Sequence, residues 1–258
     1  MKLEGQVAIV TGAGSKASGL GTGKAMAVLF AREGARVVLV DRHEDRANET
    51  RRWIEDEGGT ATVVTVDLGD PAAPRRIVDE ALDQFGRVDV LVANAAAYGP
   101  TNFLDTTPED LHEVVAVNLV SPFMLSQAVI PAMIDGGGGS IIYISSILAM
   151  RGGGSASYAA TKAGLMGLTT SLANSFGTQG IRVNCIAPGM VDTPVRNVLA
   201  ARAGIDLTQV DMGKATSLGI QGDGWDVARA ALFLGSADGR FLTGLLLPVD
   251  GGATTRLG

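Results

Sequence analysis

Cysteine, histidine and basic charge are all scarce in this chain of 258 residues, which contains one cysteine and two histidines. A single cysteine cannot close an internal disulfide, and these few side chains cannot build an ordinary zinc site. The formal net charge of −6 argues against nucleic acid as the main partner, because phosphate backbones are bound by basic surfaces. The composition therefore predicts neither a metal site nor a nucleic-acid partner.

Long apolar runs are also missing. No uninterrupted apolar stretch approaches the roughly 18 residues that a membrane span requires. The first residues, MKLEGQVAIV, lead directly into a strand-like pattern and lack the apolar region and cleavage site of a secretion signal. We expect a cytoplasmic protein without a membrane partner.

Glycine and apolar residues, by contrast, are abundant, with 35 glycines and 46% hydrophobic residues. Short apolar runs, many of them rich in β-branched residues, recur at 7–11, 36–41, 62–67, 88–94, 140–145, 182–188 and 244–250. Segments with helical spacing lie between or beside them, including 23–34, 43–58, 71–86, 108–134 and 157–177. This alternation predicts a seven-stranded, mainly parallel sheet with helices on both faces. We expect residues 1–258 to form a single doubly wound α/β domain.

The glycine-rich segment TGAGSKASGLGTG, residues 11–23, allows two phosphate-loop registers. If Gly12–Ala17 were the whole fingerprint, a helix would begin near Ser15 and contain three further glycines. Each interior glycine costs about 1 kcal/mol relative to alanine, so this register is penalised by roughly 3 kcal/mol. A helix that begins near Leu20–Gly21 is favoured, because its glycines then lie where the phosphates of a dinucleotide approach.

Asp41 ends the second predicted strand and follows Gly21 by 20 residues. This spacing is typical of the acid that accepts hydrogen bonds from a ribose diol in dinucleotide-binding proteins. The alternative is a cap for the next helix. Because a carboxylate repels a 2′-phosphate, we predict that the cofactor is NAD. Arg42 or Lys16 could bind such a phosphate, so NADP is the less favoured alternative.

The segment SYAATKAG, residues 157–164, places Tyr158 and Lys162 on one face of a predicted helix. A phenol ordinarily has a pKa near 10, and a nearby ammonium or a positively charged nicotinamide ring lowers it. The pair could therefore exchange a proton with an alcohol while a cofactor moves the hydride; an exposed pair is the alternative. Ser146, at the end of a predicted strand, could bind the substrate oxygen or only cap the next turn.

Together these residues resemble the short-chain dehydrogenase/reductase family over essentially the full chain. The matching segments are Thr11-Gly12 with Gly19-Leu20-Gly21, Asp67-Leu68, ANAA at 93–96, Asn118 in VNLV, Ser145-Ser146, Tyr158 with Lys162, IRVNCIAPGMVDTP at 181–194, and VDGG at 249–252. The resemblance implies a Rossmann-type fold and oxidoreduction between an alcohol and a carbonyl compound with NAD(H) or NADP(H). It also implies a homo-oligomer, often a tetramer.

The resemblance further implies a role for each matching residue. Tyr158 would donate and accept the proton, Lys162 would lower its pKa and hold the nicotinamide ribose, and Ser146 would orient the substrate carbonyl. Asn118 would support a proton relay through water to Lys162. The other expected cofactor contacts are Gly12, Ser15, Gly19, Leu20, Gly21, Asp41, Arg42, Asp67, Leu68, Asn94, Ala95, Ala96, Pro188, Gly189, Val191 and Thr193.

The chain departs from the family pattern in three places. The glycine loop is longer by three residues, and Ala96 stands where an Asn-Ala-Gly segment usually has glycine. Ser146 precedes Tyr158 by 12 residues, one fewer than is often found. Ser145 fits the longer spacing, whereas the position at the strand end favours Ser146.

Residues 194–224 follow the expected nicotinamide loop, and the resemblance implies that they form a lid over the substrate. An apolar pocket for a neutral alcohol or ketone is predicted from Tyr98, Leu148, Met150, Val195, Val198 and Leu199, with ordinary packing as an equal alternative. A catalytically idle dinucleotide sensor of the same fold is the alternative function. The presence of both Tyr158 and Lys162 argues against it.

Overall fold

The computed structural model describes residues 1–15, 19–202, 206 and 211–256. The strands are β1 Val7–Thr11, β2 Arg36–Asp41, β3 Thr60–Thr65, β4 Val90–Ala93, β5 Gly139–Ile144, β6 Ile181–Pro188, β7 Val191–Asp192, β8 Gly222–Asp223 and β9 Leu246–Val249. The helices are α1 Thr22–Arg32, α2 Glu44–Asp56, α3 Ala73–Phe85, α4 Pro108–Val115, α5 Ser121–Asp135, α6 Leu148–Arg151, α7 Ala156–Phe176, α8 Pro194–Arg202 and α9 Gly224–Gly235.

The predicted sheet is confirmed. It has seven strands in the order β3-β2-β1-β4-β5-β6-β9, and every neighbouring pair is parallel. The chain runs outward from β1 to β3 and then returns to place β4 on the other side of β1. At this switch point the connections diverge, which leaves a crevice beyond the carboxyl ends of the strands.

Both faces of the sheet are buried, which explains why the strand segments read as nearly continuous apolar runs. Along β1, Ala8 and Val10 pack into a core with α1 and α9, whereas Val7 and Ile9 pack into a second core with α3, α5 and α7. Because successive side chains of a strand point to opposite faces, one strand serves both cores. The expected covering of both faces by helices is thus confirmed.

The segment predicted as one helix over 108–134 is divided by a single π-helical turn at Ala116–Val120, between α4 and α5. The helix begins at the expected Thr107 cap, whose side chain forms a reciprocal capping box with Asp110. Within the part of the chain that is described, only Pro108–Asp135 is long and apolar enough to cross a membrane, judged by length and composition alone. The inner helices of globular proteins share that property.

A two-stranded pairing of β7 with β8 was not predicted. It joins Val191 to Gly222 and Asp192 to Asp223, so the ends of the expected 194–224 lid segment lie side by side. Strands of two residues show no periodicity, and only tertiary contact reveals them. Within this segment, residues 203–205 and 207–210 lie outside the described residues.

Two glycines in helices provide a matched test of the glycine-loop packing. A Cβ on Gly23 would lie 2.0 Å from the carbonyl oxygen of Gly12, whereas one on Gly167 of α7 would meet nothing within 4 Å. We expect Gly23→Ala to lower the free energy of unfolding by about 1–3 kcal/mol or more, since backbone must move. We expect Gly167→Ala to raise it by up to about 1 kcal/mol, because alanine favours helix.

Urea unfolding of both variants and the parent, followed by circular dichroism, measures these changes. Equal stability of Gly23→Ala and Gly167→Ala would contradict the packing described for the glycine loop.

Candidate active site and dinucleotide cleft

A cleft of about 420 Å³ lies beyond the carboxyl ends of β1, β2 and β4. Of the cofactor contacts expected from the sequence, the structure brings to its wall Gly12, Ser15, Gly21, Asp41, Arg42, Asp67, Leu68, Asn94, Ala95, Ala96 and Thr193. The expected residues that do not line it are Gly19, Leu20, Tyr158, Lys162, Pro188, Gly189 and Val191. Most of the contacts expected from the sequence therefore line the cleft.

Several wall residues were missed by sequence reasoning. They are Thr22, His43, Arg46, Val66, Ala97, Asp110, Glu113, Val117 and Pro194. Asp110, Glu113 and Val117 follow one another at helical spacing, so one face of the 108–134 helix carried a signal. Helical spacing shows which residues share one face of the helix, but it does not show which part of the molecule that face lies against.

The floor of the cleft is tied together by Thr11 and Asn94. The Thr11 hydroxyl accepts hydrogen bonds from the backbone N–H groups of Asn94 (2.9 Å) and Ala95 (3.1 Å). The Asn94 amide donates to the Thr11 carbonyl at 2.9 Å and accepts from the Thr22 hydroxyl at 2.8 Å. Asn94 thus joins the end of β1, the end of β4 and the start of α1.

The glycine loop adopts the favoured register, with Gly21 as the N-cap of α1 and Thr22 as its first residue. Gly12 has a φ of +64°, and a Cβ there would lie 2.9 Å from the Ala95 Cα atom, so only glycine permits this approach. Gly21 provides no side-chain cap, which leaves the first N–H groups of α1 available to an anion.

Ser15 supplies a further group for an anion. Its hydroxyl is buried beside the cleft and has no hydrogen-bond partner among the described residues. A buried hydroxyl ordinarily has a partner, and a phosphate oxygen would provide one. The loop and the helix end therefore fit the pyrophosphate of a dinucleotide. The additional loop residues Lys16, Ala17 and Ser18 lie outside the described residues, and so does the expected role of Lys16.

Asp41 holds two backbone groups at the end of the cleft next to β2. One carboxylate oxygen accepts from the Gly14 N–H and the other from the His43 N–H, each at 3.0 Å. The position before α2 agrees with both sequence interpretations, because Asp41 braces the turn into the helix and also lines the cleft. Each oxygen keeps a further lone pair for a ribose hydroxyl.

Arg42 and Arg46 lie at the same end of the cleft as Asp41. For neither guanidinium does the described part of the chain provide a carboxylate partner. At the neighbouring strand end, the Asp67 carboxylate accepts from the Gly69 N–H at 2.8 Å and closes a local turn. The end of the cleft thus carries both a carboxylate and two cations.

The segment after β6 reaches the cleft through Thr193, which is buried, and through Pro194 and Val195. Gly189 donates to the Val249 carbonyl at 3.0 Å, and a Cβ there would lie 2.5 Å from the Asp250 Cβ atom. Pro188 ends β6, which pairs with β9, and Val191 begins β7, which pairs with β8. Pro188, Gly189 and Val191 therefore fix the backbone of this loop and do not line the cleft.

Lys162 is buried at 2% exposure and directs its ammonium group to the carbonyl oxygen of Ile144 at 2.7 Å. Its Nζ atom lies 5.6 Å from the centre of the Tyr158 ring, so the predicted pair is brought together. Burial is the main cause that lowers the pKa of Lys162 from 10.5 to about 8. A group with this pKa can exchange a proton near neutral pH.

Tyr158 lies beneath Tyr98. Their rings stack with centres 4.8 Å apart and planes 15° from parallel. The Tyr158 hydroxyl also interacts with that of Ser146. Burial is the main cause that raises the pKa of Tyr158 well above 10, whereas the sequence led us to expect a lowered value. The lysine does not offset burial here, because its ammonium is itself desolvated and directed to Ile144.

The two adjacent serines have different partners. Ser145 is buried and donates to the carbonyl oxygen of Lys162 at 2.8 Å, which fixes β5 against α7. Ser146 accepts from the Leu148 N–H at 3.2 Å and interacts with the Tyr158 hydroxyl. Both sequence interpretations of Ser146, as a turn cap and as a group at the reacting oxygen, are compatible with this position.

Asn118 lies fully buried in the π-helical turn, a distortion that is frequent at functional sites. Its side chain accepts from the Ala97 N–H at 2.8 Å and donates to the Ala97 carbonyl at 3.0 Å. It also donates to the Thr161 hydroxyl at 3.2 Å. Asn118 therefore fixes the segment that carries Tyr98 relative to the helix that carries Tyr158.

The expected apolar pocket is only partly formed by the side chains we proposed for it. Tyr98 and Val195 line the cleft, whereas Leu148 contacts the Gly153–Gly154 turn and Met150 is exposed. The side chains of Val198 and Leu199 lie outside the described residues. Of the residues proposed for this pocket, Tyr98 and Val195 are therefore the ones that the described structure brings to the cleft.

Comparison with known proteins gives matches over nearly the whole chain. The pattern of the family described as Enoyl-(Acyl carrier protein) reductase matches residues 16–254. An uncharacterized short-chain type dehydrogenase/reductase, y4mP of Sinorhizobium fredii, is 38% identical and covers 98% of both chains. The 2,5-dichloro-2,5-cyclohexadiene-1,4-diol dehydrogenase LinX of Sphingobium indicum is 37% identical and covers 97% of both.

Solved structures agree with these relatives. A candidate short-chain dehydrogenase/reductase from Burkholderia xenovorans superimposes with a TM-score of 0.94 at 36% identity, covering 100% of this chain and 99% of that one. A candidate 2-deoxy-d-gluconate 3-dehydrogenase from Agrobacterium tumefaciens, crystallised with bound NADP, gives a TM-score of 0.86 at 36% identity and covers 99% and 98%. The fold is therefore shared with these crystal structures.

The buried lysine predicts how stability depends on pH. Between the folded pKa of about 8 and the ordinary 10.5, the unfolded chain binds a proton that the folded chain does not. The free energy of unfolding of the cofactor-free protein should therefore rise through this pH window, by up to about 3 kcal/mol. Lys162→Met should lack this rise. Urea unfolding of both proteins from pH 7 to 10.5 measures the difference, since shared groups cancel, and parallel pH profiles would contradict the prediction.

Proposed function

The chain belongs to the short-chain dehydrogenase/reductase family, and from that premise we propose that it interconverts a secondary alcohol and a ketone with a nicotinamide cofactor. The observation that carries the proposal is the burial of Tyr158, Lys162 and Ser146 together beside a cleft suited to a dinucleotide. LinX, whose name gives a cyclic diol as its substrate, supports an alcohol as the reacting group.

The proposed chemistry divides between the cofactor and the protein. When bound, the nicotinamide supplies or accepts the hydride. Tyr158 gives its proton to the carbonyl oxygen during reduction and takes it back during oxidation, while the Ser146 hydroxyl holds that oxygen. Lys162 would hold the nicotinamide ribose, and its ammonium group would lower the pKa of Tyr158 in the loaded enzyme, whereas burial raises that pKa in the structure. Asn118 supports the proton relay by its hydrogen bonds to the backbone of Ala97.

The cofactor is proposed to be NAD. Asp41 faces the ribose end of the cleft with lone pairs free for the two ribose hydroxyls and repels a 2′-phosphate. NADP is the second candidate, for two reasons. Arg42 and Arg46 lie beside Asp41, and a relative at 36% identity was crystallised with NADP.

An idle dinucleotide sensor is the weaker alternative, because it gives no reason to bury Lys162 next to Tyr158. Burying an ammonium group costs free energy, which a purely structural role would avoid with an apolar side chain. A functional need for the amine accounts for that cost.

A homo-oligomer, expected from the family resemblance, is proposed as well. An apolar groove between α5 and α7 is lined by Phe123, Ile130, Ile134, Leu168, Leu172 and Phe176. A cytoplasmic location stays a prediction.

The function is tested with a panel of secondary alcohols and ketones, followed by the absorbance of the reduced nicotinamide. Tyr158→Phe should lower kcat/KM by at least about 100-fold, since proton transfer by a positioned group contributes this much or more. Tyr143→Phe is the matched control, because it removes a buried phenol hydroxyl that pairs with Ser126 and does not line the cleft. A Tyr158→Phe variant as active as the parent would refute the assignment.

Cofactor choice is tested by the ratio of kcat/KM for NAD+ and NADP+ with one substrate. We expect the parent to favour NAD+ at least tenfold, and Asp41→Ser to reduce that preference, because it removes the repulsion of a 2′-phosphate. Arg46→Gln serves as the companion variant and should weaken NADP+ more than NAD+. A parent that favours NADP+ tenfold would overturn the choice of NAD.

A further inference from the structure

Thr161 lies on α7 between Tyr158, which is proposed to transfer the proton, and Lys162, which is proposed to assist it. Its side chain is only 3% exposed and does not line the dinucleotide cleft. A buried hydroxyl costs free energy unless it has hydrogen-bond partners, so the partners of Thr161 indicate what its hydroxyl does. One partner lies on α7 itself and another on a different segment of the chain.

The Thr161 hydroxyl donates to the carbonyl oxygen of Tyr158 at 2.8 Å. Such a bond is ordinary in helices, where threonine often donates to a carbonyl one turn earlier. Thr169, which is also buried on α7, donates in the same way to the Leu165 carbonyl at 2.7 Å. The Thr161 oxygen in addition accepts a hydrogen bond from the side-chain amide of Asn118, in the π-helical turn outside α7, at 3.2 Å.

These contacts form a chain of hydrogen bonds with one direction. Because Thr161 gives its only hydroxyl proton to Tyr158, its oxygen acts as the acceptor toward Asn118. The Asn118 amide has two hydrogens, and it donates the other one to the Ala97 carbonyl at 3.0 Å, while its oxygen accepts from the Ala97 N–H at 2.8 Å. Without the Thr161 hydroxyl, a buried N–H of Asn118 would lose its partner and Ala97 would lose this connection to α7.

The chain of hydrogen bonds joins two parts of the proposed active site. Ala97 continues the segment 94–96, which lines the cleft where the cofactor is proposed to bind. At the other end, Tyr158 carries the phenol that is proposed to transfer the proton. The separation between cofactor and phenol therefore depends in part on this connection. Reaction rates are sensitive to such a separation, since a misplacement of about 1 Å can lower a rate about 100-fold.

From these contacts we propose that Thr161 is a positioning residue for the oxidoreduction: acting through Asn118, its hydroxyl sets the cofactor segment against the helix that carries Tyr158. The inference rests on the proposed function, because it assumes that Tyr158 exchanges the proton with the substrate. The floor of the cleft keeps its own hydrogen bonds between Thr11 and Asn94. Removing the Thr161 hydroxyl should therefore lower kcat and leave the binding of the cofactor nearly unchanged.

Thr161→Val nearly keeps the shape of the side chain and removes its hydrogen-bonding group. With NAD+ and a secondary alcohol that the parent oxidises, we expect kcat per folded enzyme to fall about tenfold or more, while the KM for NAD+ stays within about threefold of the parent. Thr161→Ser, which keeps the hydroxyl, should recover kcat to within about threefold of the parent. Circular dichroism and the stoichiometry of NAD+ binding measure the folded fraction of each variant.

Thr169→Val is the matched control, because it also removes a buried α7 hydroxyl that donates to a carbonyl of its own helix. Thr169→Val should lose stability in urea and keep the kcat of the parent, since its hydroxyl does not contact Asn118. If Thr161→Val does not fold, Thr161→Cys has the same expected result, because a thiol fills the position and forms only weak hydrogen bonds.

A double variant tests whether Thr161 acts through Asn118. Effects of residues in one hydrogen-bond network are not additive, so adding Thr161→Val to Asn118→Ala should lower kcat by no more than about a further threefold. A further loss as large as that of Thr161→Val alone would overturn the inference.

The remaining outcomes separate the inference from the proposed function. A Thr161→Val variant with the kcat of the parent, or a Thr161→Ser variant as slow as Thr161→Val, overturns the inference and leaves the proposed function standing. An equal loss of kcat in Thr169→Val also overturns it, because the effect would then be one of helix stability. A parent that neither binds NAD+ or NADP+ nor oxidises any alcohol refutes the proposed function and the inference with it.

Discussion

The close approach of three chain segments at the carboxyl end of β1 is the constraint on which the rest of the site depends. Gly12 passes within contact distance of the Ala95 backbone, and Gly23 of α1 lies against the Gly12 carbonyl. Thr11 and Asn94 close the same junction with hydrogen bonds. Because these contacts fix where α1 begins, they also fix the direction in which its free N–H groups face the cleft.

A second set of contacts holds the residues proposed to transfer the proton. Like the junction at the end of β1, it involves the segment that follows β4. The segment that leaves β4 carries Asn94 at its start and Tyr98 four residues later, and Asn118 connects it to α7 at Thr161. Asn118 lies in the π-helical turn between α4 and α5, where its side chain is buried. Cofactor cleft and proton-transfer groups are thereby positioned relative to one another through one short segment.

Burial shifts the pKa values of Lys162 and Tyr158, and burying the ammonium group of Lys162 also costs folding free energy. The same desolvation that lowers the pKa of Lys162 raises that of Tyr158, so both groups are held closer to their neutral forms. A positive charge brought next to the phenol, as by an oxidised nicotinamide ring, favours the phenolate and opposes the effect of burial. The sequence predicted a phenol with a lowered pKa, whereas burial raises the pKa of Tyr158 in the structure.

Much of the fold followed from the sequence. Alternating apolar strands and helices predicted the parallel sheet, the cost of interior glycines predicted the start of α1, and strand-end residues such as Asp41 and Asn94 predicted part of the cleft wall. These features are local, because they depend on periodicity, backbone freedom and the rule that parallel strands end at one edge. Tertiary structure alone decided the β7–β8 pairing, the π-helical turn at Asn118 and the stacking of Tyr98 on Tyr158. Each of these depends on contacts between residues far apart in the chain, for which a single sequence contains no periodic signal.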